Sequence, residues 1–245
     1  MKSVFKKIAL VILSSFVLVH ISHAKDNGNS IPMIGDRAPS FKAQTTMGEV
    51  RFPEDYWNKW VVLFCHPADF TPVCTSELMK FADLNDQFED LNCKLLGLSV
   101  DGINSHIQWI SEIENIEFNG MKNVKINYPL ISDSHLEIAK KYGMIHPNAN
   151  SSRTVRGVYI IDDNQKIQAI LIYPQTTGRN IEEVLRLVAA LQKSANPNIS
   201  IPEGWKSGDN FFLSPLSNKD EALERFKNQG TDYSCPAWFM CIDNE

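Results

Sequence analysis

The sequence predicts an α/β fold in which helices flank a central sheet. Four short runs of apolar or alternating residues have the length of β-strands, and segments with apolar residues at three- and four-residue spacing lie between them. Alternating strands and helices along a chain are typical of this fold class. The chain has 245 residues, of which 43% are hydrophobic, so it is long enough to bury one sizeable core.

The predicted elements follow one another from residue 60 to residue 195. Strands are predicted at WVVLF, KLLGLSV, VRGVYIID and KIQAILIYP, which begin at Trp60, Lys94, Val155 and Lys166. Helices are predicted at residues 74–91, 103–116, 136–142 and 181–195. We expect the first strands to pair in parallel and the last two, which are consecutive, to form an antiparallel hairpin.

The first 24 residues have the three-part pattern of a secretory signal peptide. Lysines precede an apolar run at residues 8–21, and the small-residue triplet Ser22-His23-Ala24 follows that run. The run is shorter than the roughly 20 residues that a membrane-spanning helix needs, so cleavage after Ala24 is favoured over an uncleaved anchor. We therefore expect a periplasmic or secreted protein without integral membrane association, whose residues 25–33 form a flexible linker.

Charge and cysteine content limit the partners of the mature chain. Removal of the three leader lysines would leave 21 basic against 29 acidic residues, a net charge of about −8. An acidic chain without a basic run is a poor partner for nucleic acids and other polyanions. The five cysteines are an odd number, so an exported chain must keep one free thiol or form a bond to another chain.

The character of the sequence changes after residue 195. Residues 34–195 are predicted to form the main domain, and residues 196–245 a C-terminal extension with one short helix near residues 220–226. The extension has too little apolar periodicity to fold alone. Its last residues, CPAWFMCIDNE, are rich in aromatic side chains, which indicates a docking surface such as a dimer contact.

Cys74 is the strongest candidate for a reactive residue. It follows the first predicted strand through a turn and begins a predicted helix, so it should lie at the carboxyl end of the sheet, where α/β folds bind ligands. Unpaired backbone N–H groups and the positive end of the helix dipole favour a thiolate there. Pro67 can shield the sulfur from water, and the Thr71 hydroxyl can donate to an incoming oxygen. Glu77, one turn further on, is suited to holding an arginine over the site.

Other interpretations of the cysteines are weaker. A buried structural cysteine is the commoner fate of a single cysteine. A dithiol centre is disfavoured because Cys74-Thr75-Ser76-Glu77 lacks the second cysteine of that motif. No two cysteines stand at the spacing of a structural zinc site, so we expect no metal. Cys65 and Cys93 should lie at opposite ends of neighbouring parallel strands, as unbonded and inert thiols.

The pattern Pro67-x-x-x-Thr71-x-x-Cys74 resembles the active-site motif of the peroxiredoxins. The longer string HPADFTPVCTSEL is similar to the long-tailed one-Cys class of that family, the peroxiredoxin 6 class. VRGVYIID resembles the strand whose arginine reaches the active site, which assigns that role to Arg156, and LIYPQTTGRN places a supporting arginine at Arg179. GWKSGD resembles a turn in the C-terminal domain of the class. The resemblance is nearly continuous over residues 34–214.

The resemblance implies a thioredoxin-like fold and a peroxidase that uses a thiol reductant and no cofactor. Its substrates would be hydrogen peroxide and organic hydroperoxides, and Cys74 would become a sulfenic acid. Arg156 would stabilise the thiolate and bind the peroxide, although the residues alone suggest a solvated charge at a strand end. His66 matches a histidine that lies near the thiolate in the class; a partly exposed turn histidine is an equal alternative. Residues 34–39, IGDRAP, lack the serine of a lipase-like motif, so phospholipase activity is not expected.

Cys235 and Cys241 resemble the paired tail cysteines of archaeal members of the class, which resolve the oxidised site across a dimer. The resemblance implies a homodimer or higher homo-oligomer in which Cys241, with Cys235 as a partial substitute, reacts with the oxidised Cys74. Cys241 is preferred because Pro236 stiffens the chain beside Cys235. Three alternatives remain open: a structural tail disulfide, resolution by an external thiol, and a redox-switched holdase or binding protein.

Overall fold

The computed structural model describes residues 31–244, so the predicted signal peptide and most of the predicted linker lie outside the described residues. Seven strands form the main sheet: β1 (Phe41–Thr45), β2 (Gly48–Phe52), β3 (Trp60–Cys65), β4 (Cys93–Ser99), β5 (Leu130–Ser132), β6 (Arg156–Ile161) and β7 (Ile167–Tyr173). Their order across the sheet is β2-β1-β5-β4-β3-β6-β7. A 3-10 turn (Glu54–Tyr56) follows β2.

Six helices accompany the strands. They are α1 (Pro72–Asp83), α2 (Asn85–Asp90), α3 (Ile103–Ile113), α4 (Glu137–Lys141), α5 (Ile181–Lys193) and α6 (Lys219–Lys227). None of the helices in the described part of the chain is long and apolar enough to cross a membrane.

Strand pairing changes direction in the middle of the sheet. β3 pairs in parallel with β4, and β4 with β5, whereas β6 pairs antiparallel with both β3 and β7. The predicted α/β class and the predicted change from parallel to antiparallel pairing are therefore confirmed. The sequence patterns do not reveal β1, β2 and β5, because β1 and β2 are largely polar and partly exposed and β5 has only 3 residues.

β3 is buried along its whole length and separates two apolar clusters. The even-numbered residues from Trp60 to Phe64 face one cluster, which includes side chains of α1 and α5. The odd-numbered residues from Val61 to Cys65 face the other, which includes side chains of α4. A strand covered on both faces needs an apolar residue at every position, which explains the run WVVLF.

The helix predicted at residues 74–91 is two helices. α1 ends at Asp83 and α2 begins at Asn85, because Leu84 has φ −98° and ψ 1° and leaves the helical geometry. Leu84 and Phe88 both lie in the same apolar cluster. The prediction of a single helix is wrong, although its start in the turn that carries Cys74 is correct.

Cys65 and Cys93 lie at opposite ends of β3 and β4. In the parallel register Trp60 is opposite Cys93, and Cys65 is opposite Leu98. Both thiols are free and buried, as predicted. Burial raises the pKa of Cys65 above its ordinary value and raises the pKa of Cys93 to about 12. Neither thiol therefore ionises readily near neutral pH.

The C-terminal extension forms a second, four-stranded antiparallel sheet. Its strands are β8 (Ile199–Ser200), β9 (Phe212–Leu213), β10 (Tyr233–Ala237) and β11 (Met240–Asp243), in the order β10-β11-β9-β8. These strands are too short for a sequence pattern to reveal them. The extension packs on α5: Arg186 Nη1 donates to the Trp205 carbonyl at 2.9 Å, and Lys193 Nζ lies 4.3 Å from the ring centroid of Phe211.

Candidate active site

Cys74 lies in the first turn of α1, directly after the loop that leaves β3. Thr71 is the N-cap residue with extended backbone angles, and Pro72 occupies the first helical position, where its missing N–H costs nothing. Thr71 makes no capping hydrogen bond through its side chain. Helix geometry gives the amides of Val73 and Cys74 no intrahelical acceptor. These donors and the positive end of the helix dipole make the position suited to an anion.

Pro67 and Thr71 belong to the loop in front of the thiol. Pro67 is buried, and Thr71 is half-buried. The Thr71 hydroxyl donates to the Ala68 carbonyl at 2.9 Å, across the turn that leads into α1. Because this bond uses the hydroxyl hydrogen, Thr71 offers an incoming peroxide the lone pairs of its oxygen. The expectation that Thr71 donates to an incoming oxygen therefore does not hold, because the local turn uses the hydroxyl hydrogen.

Arg156, the first residue of β6, reaches the thiol directly. Its Nη1 donates to Cys74 Sγ at 3.3 Å and to Glu77 Oε2 at 2.8 Å. Its Nε and Nη2 donate to the Gln175 carbonyl at 3.0 and 2.7 Å. The side chain is buried, so the interpretation of Arg156 as a solvated charge is wrong. Together these hydrogen bonds hold the guanidinium of Arg156 in one orientation beside the Cys74 sulfur.

Glu77 and Arg179 form the support behind that contact. The backbone N–H and Nε of Arg179 donate to Glu77 Oε1 at 2.7 and 2.9 Å, and its Nη2 donates to Glu77 Oε2 at 2.6 Å. Arg179 Nη1 donates to the carbonyls of Cys65 and Gly157 at 3.0 and 2.9 Å. Arg179 thus ties the end of β3, the start of β6 and α1 together around one carboxylate.

The buried charges at this site do not cancel without Cys74. Arg156 and Arg179 bring two positive charges to Glu77, which brings one negative charge. Burial alone would raise the pKa of Glu77, but attraction to Arg179, hydrogen bonds from it and attraction to Arg156 hold that pKa below its ordinary value. The excess positive charge lies beside Cys74 Sγ, 3.3 Å from Arg156 Nη1, so the cluster is suited to an anionic group at that position.

His66 is fully buried, so the alternative of a partly exposed turn histidine is wrong. Its Nε2 lies 3.0 Å from Asp69 Oδ1, and the other oxygen of Asp69 lies 2.8 Å from His106 Nδ1. Burial lowers the pKa of His66 and outweighs the opposing effect of Asp69. The three residues could in principle share an ion, since their ligand atoms lie within 4.8 Å of one another. Their contacts have the lengths of direct hydrogen bonds, so the side chains bind one another.

Sequence reasoning misses several residues that shape the site. Asp69 lies within the quoted motif but shows no role there, and His106 and Trp109 read as residues on the apolar face of a helix. Gln175 contributes its backbone carbonyl, which no side-chain pattern can signal. The spacing of His106 and Trp109, one turn apart on α3, is the signal that could identify them as neighbours.

The structure does not bring Cys235 and Cys241 to Cys74. They form a disulfide with a Cα–Cα distance of 4.0 Å that joins β10 and β11. The two aromatic residues in the turn between these strands, Trp238 and Phe239, are 50% and 60% exposed. The tail therefore folds back tightly on itself and presents an apolar tip.

An apolar groove of about 400 Å³ opens beside Thr71. Its apolar lining comes from the loop before α1, from α1 and α3 and from the segment after α3: Phe70, Pro72, Met79, Trp109, Ile116 and Phe118. Residues 66–71, the catalytic loop, join β3 to α1 and contribute Phe70 and Thr71 to this groove.

Comparisons with known proteins agree with this geometry. The model of the AhpC/TSA family matches residues 34–170. A peroxiredoxin of Methanosarcina mazei is 48% identical over 216 residues, which cover 88% of this chain and 99% of that protein.

Solved structures give the same result. The peroxiredoxin 6 of Arenicola marina superposes with a TM-score of 0.74 at 32% identity and covers 87% of this chain and 98% of that chain. A yeast mitochondrial 1-Cys peroxiredoxin also gives a TM-score of 0.74, at 36% identity, and covers 87% of this chain and 99% of that one. The chain therefore belongs to the AhpC/TSA family and is a peroxiredoxin, a thioredoxin-like oxidoreductase that reduces peroxides with electrons from a thiol.

Proposed function

We propose that Cys74 is the peroxidatic cysteine of this thiol peroxidase. The observation that carries the proposal is the 3.3 Å contact between Arg156 Nη1 and Cys74 Sγ, inside a buried cluster in which two guanidinium groups share one carboxylate. Among the described residues no guanidinium donates to the sulfur of Cys65 or Cys93, and burial raises the pKa of both. Nucleophilicity at neutral pH therefore concentrates at Cys74.

The chemistry is a displacement on oxygen. The Cys74 thiolate attacks one oxygen of the peroxide, an S–O bond forms and the O–O bond breaks. The sulfur keeps an OH group as sulfenic acid, and the departing hydroxide or alkoxide takes up a proton to leave as water or alcohol. Arg156 and the amides at the start of α1 stabilise the charge that moves to the departing oxygen, while the Thr71 oxygen accepts a hydrogen bond from the peroxide.

Hydrogen peroxide and organic hydroperoxides are the proposed substrates. Both present the O–O–H group that the Arg156 and Thr71 side of the site can bind. The apolar groove beside Thr71 supports the second class, because it can hold an alkyl chain while the O–O group lies at the sulfur.

For the second half of the cycle we propose a homodimer in which Cys241 of the partner subunit resolves the sulfenic acid. Its thiol attacks Cys74 sulfur, a Cys74–Cys241 disulfide forms, and water leaves. Cys235 then attacks Cys241, which releases the Cys74 thiolate and forms the Cys235–Cys241 disulfide. An external thiol reductant finally reduces that disulfide with two electrons. The Cys235–Cys241 disulfide in the structure is the same bond that this exchange would form.

The same disulfide also supports a second candidate for the tail. If Cys235 and Cys241 are bonded throughout the cycle, the bond is structural and an external thiol must react with the Cys74 sulfenic acid directly. The hairpin geometry, with the two cysteines on adjacent antiparallel strands, allows a permanent bond without movement of the main sheet.

Mass spectrometry of the reduced protein after one equivalent of peroxide tests both halves of the proposal. Cys74→Ser should abolish peroxide reduction, and the matched variant Cys93→Ser should retain most of it. Equal loss in both variants would overturn the role of Cys74. A Cys74–Cys241 disulfide between subunits supports resolution by the tail. Absence of an intersubunit bond at one equivalent, together with over-oxidation of Cys74 by excess peroxide unless an external thiol is added, supports the structural tail.

We also propose export from the cytoplasm. The lysine-flanked apolar leader and its small-residue ending support the proposal, and a disulfide in the tail is compatible with an oxidising compartment. N-terminal sequencing of the native protein should find Lys25 as the first residue, on protein recovered outside the cytoplasm. Cytoplasmic protein that begins at Met1 would contradict the proposal.

A further inference from the structure

One helix contacts the catalytic loop at two points. α3 carries His106 and Trp109 one turn apart, and both side chains are buried against the segment that contains the Cys74 motif. His106 binds Asp69, which precedes Thr71 by two residues. Trp109 Nε1 donates to Thr75 Oγ1 at 3.2 Å, one residue beyond the thiol. The two contacts therefore flank the catalytic residues along the chain.

The His106 contact joins two buried side chains. Its Nδ1 lies 2.8 Å from Asp69 Oδ2 and its Nε2 lies 3.1 Å from the Ile131 carbonyl, so both nitrogens face acceptors. Burial alone would raise the pKa of Asp69, but the hydrogen bonds from His106 and His66 hold it well below its ordinary value. Asp69 is thus an anion fixed between two rings, with its backbone N–H bound to Asp101 Oδ2 at 2.7 Å.

The loop between these contacts needs support. Phe70 lies between Asp69 and Thr71 with φ +53°, in the left-handed region that costs a non-glycine residue about 1–2 kcal/mol. The Phe70 side chain is 56% exposed, so its own packing does not hold this conformation. Anchors on both sides of Phe70 must hold it, and the structure supplies them from α3.

The second anchor acts through the start of α1. Thr75 Oγ1, which accepts the Trp109 bond, donates to the Thr71 carbonyl at 2.9 Å, and the Thr75 amide donates to the same carbonyl at 2.9 Å. Trp109 therefore holds Thr75 in place, and Thr75 in turn holds the backbone of Thr71. On the other side, Asp69 fixes the turn in which Thr71 donates to the Ala68 carbonyl.

We propose that His106 and Trp109 are positioning residues for the peroxidase reaction, which together act as a clamp on residues 68–75 and set the orientation of the Thr71 hydroxyl relative to the Cys74 sulfur. This inference rests on the proposed roles of Cys74 and Thr71. The clamp makes no contact with the peroxide. It acts because small displacements of a reacting or orienting group cost large factors in rate.

The test compares two reactions of the same sulfur in four variants. The second-order rate of Cys74 oxidation by hydrogen peroxide, measured by timed quenching and mass spectrometry, depends on Thr71. The rate of Cys74 alkylation by iodoacetamide needs the thiolate but not the orientation of Thr71. The variants are His106→Gln, Trp109→Phe, Thr75→Val and, as a control on the exposed face of α3, Gln108→Ala.

We expect the peroxide rate to fall roughly tenfold or more in His106→Gln and at least about threefold in Trp109→Phe, while alkylation is unchanged or faster. Trp109→Phe and Thr75→Val remove the same bond from its two ends, so the double variant should be no slower than the slower single variant. Gln108→Ala should match the wild type in both reactions.

Two results would overturn the clamp. One is a peroxide rate within twofold of the Gln108→Ala control in both α3 variants. The other is a proportional fall of peroxide and alkylation rates, which a general loss of structure or of thiolate would produce. Trp109→Phe preserves an aromatic ring in the core and keeps the test valid if His106→Gln does not fold. Failure of the proposed function is a separate outcome, since Cys74 of the wild type would then not be oxidised at all.

Discussion

The catalytic loop and the C-terminal hairpin hold their cysteines in opposite ways. Cys74 is buried, unbonded to any other cysteine and fixed by residues far along the chain: Arg156 is 82 positions away, and Arg179 is 102 positions from Glu77. Cys235 and Cys241 are 6 positions apart and bonded to each other, next to an exposed aromatic turn. The first site exists only when the whole main domain is folded, whereas the second depends on one hairpin.

This difference has a consequence for dynamics. Local opening of a protein costs least where a segment has few buried long-range contacts, and most where opening breaks the core. The hairpin shares no sheet with β3 or β6, so we expect its opening to leave them and α1 in place. In the proposed dimer, such opening would let a tail cysteine reach the oxidised Cys74 of the partner subunit while the charged cluster around Cys74 of its own subunit remains assembled.

Among the variants that test this difference between the two regions, Glu77→Gln is expected to have the largest effect. Glu77→Gln should lower the free energy of unfolding by about 3–5 kcal/mol, because it leaves two buried guanidinium groups without their anion. It should also lower the rate of Cys74 oxidation by more than tenfold, since Arg156 loses the partner that orients it. Urea denaturation and quenched oxidation kinetics measure the two effects.

Glu182→Gln is the matched control for this variant. Its carboxylate pairs with Lys80 on the surface, where the Glu182 side chain is 68% exposed, so its loss should cost less than about 1 kcal/mol and leave the rate unchanged. Similar effects of the two substitutions would show that the buried cluster has no special importance.

The sequence predicts which residue reacts better than it predicts which residues hold that residue in place. The Cys74 motif and the run before it identify the nucleophile and place it at a helix start, because those features are local. Arg156 and Arg179 are recognisable only through resemblance to a family, since nothing in a local pattern shows that β6 and the segment before α5 meet α1. His66 shows the same limit, because its burial depends on α3.

The remaining errors have physical causes of the same kind. The orientation of the Thr71 hydroxyl depends on one turn and a carbonyl at Ala68, which a sequence pattern does not resolve. The second sheet is invisible because its strands are 2 to 5 residues long and are stabilised by pairing and by contact with α5. Long periodic segments are predictable, and short strands that depend on partners are not.

Acidification should distinguish the two regions further, because the groups whose titration lowers the free energy of unfolding lie around the catalytic loop. The pKa of His66 is lowered by burial, so below about pH 6.5 the unfolded chain binds a proton there before the folded chain does, and the free energy of unfolding decreases. Glu77 and Asp69, whose folded pKa values are also lowered, add a further loss below about pH 4. Asp133, whose pKa is raised by burial, acts in the opposite direction.

The urea midpoint should therefore fall from pH 7.5 to pH 5.5 and fall further at pH 4. The variant His66→Asn should lose most of the first step, while a variant with both tail cysteines replaced should retain it. A midpoint that stays constant or rises over this range would contradict the assignment of a buried, neutral His66.

The smallest effect on the catalytic centre is expected from the tail bond. A disulfide that closes a loop as short as the one between Cys235 and Cys241 should stabilise the hairpin by roughly 2 kcal/mol, because it restricts the open chain. In the double variant Cys235→Ser, Cys241→Ser, amide hydrogen exchange of β10 and β11 should become faster by roughly 30-fold, the factor that corresponds to this free energy. Exchange in β3 and β6 should not change, since the hairpin shares no sheet with them.

The first oxidation of Cys74 by peroxide in the same double variant should stay within twofold of the wild type, because the charges and the loop that control it belong to the main domain. A tenfold slower first oxidation would show instead that the tail supports the catalytic loop directly, and the two regions would then have to be treated as one site.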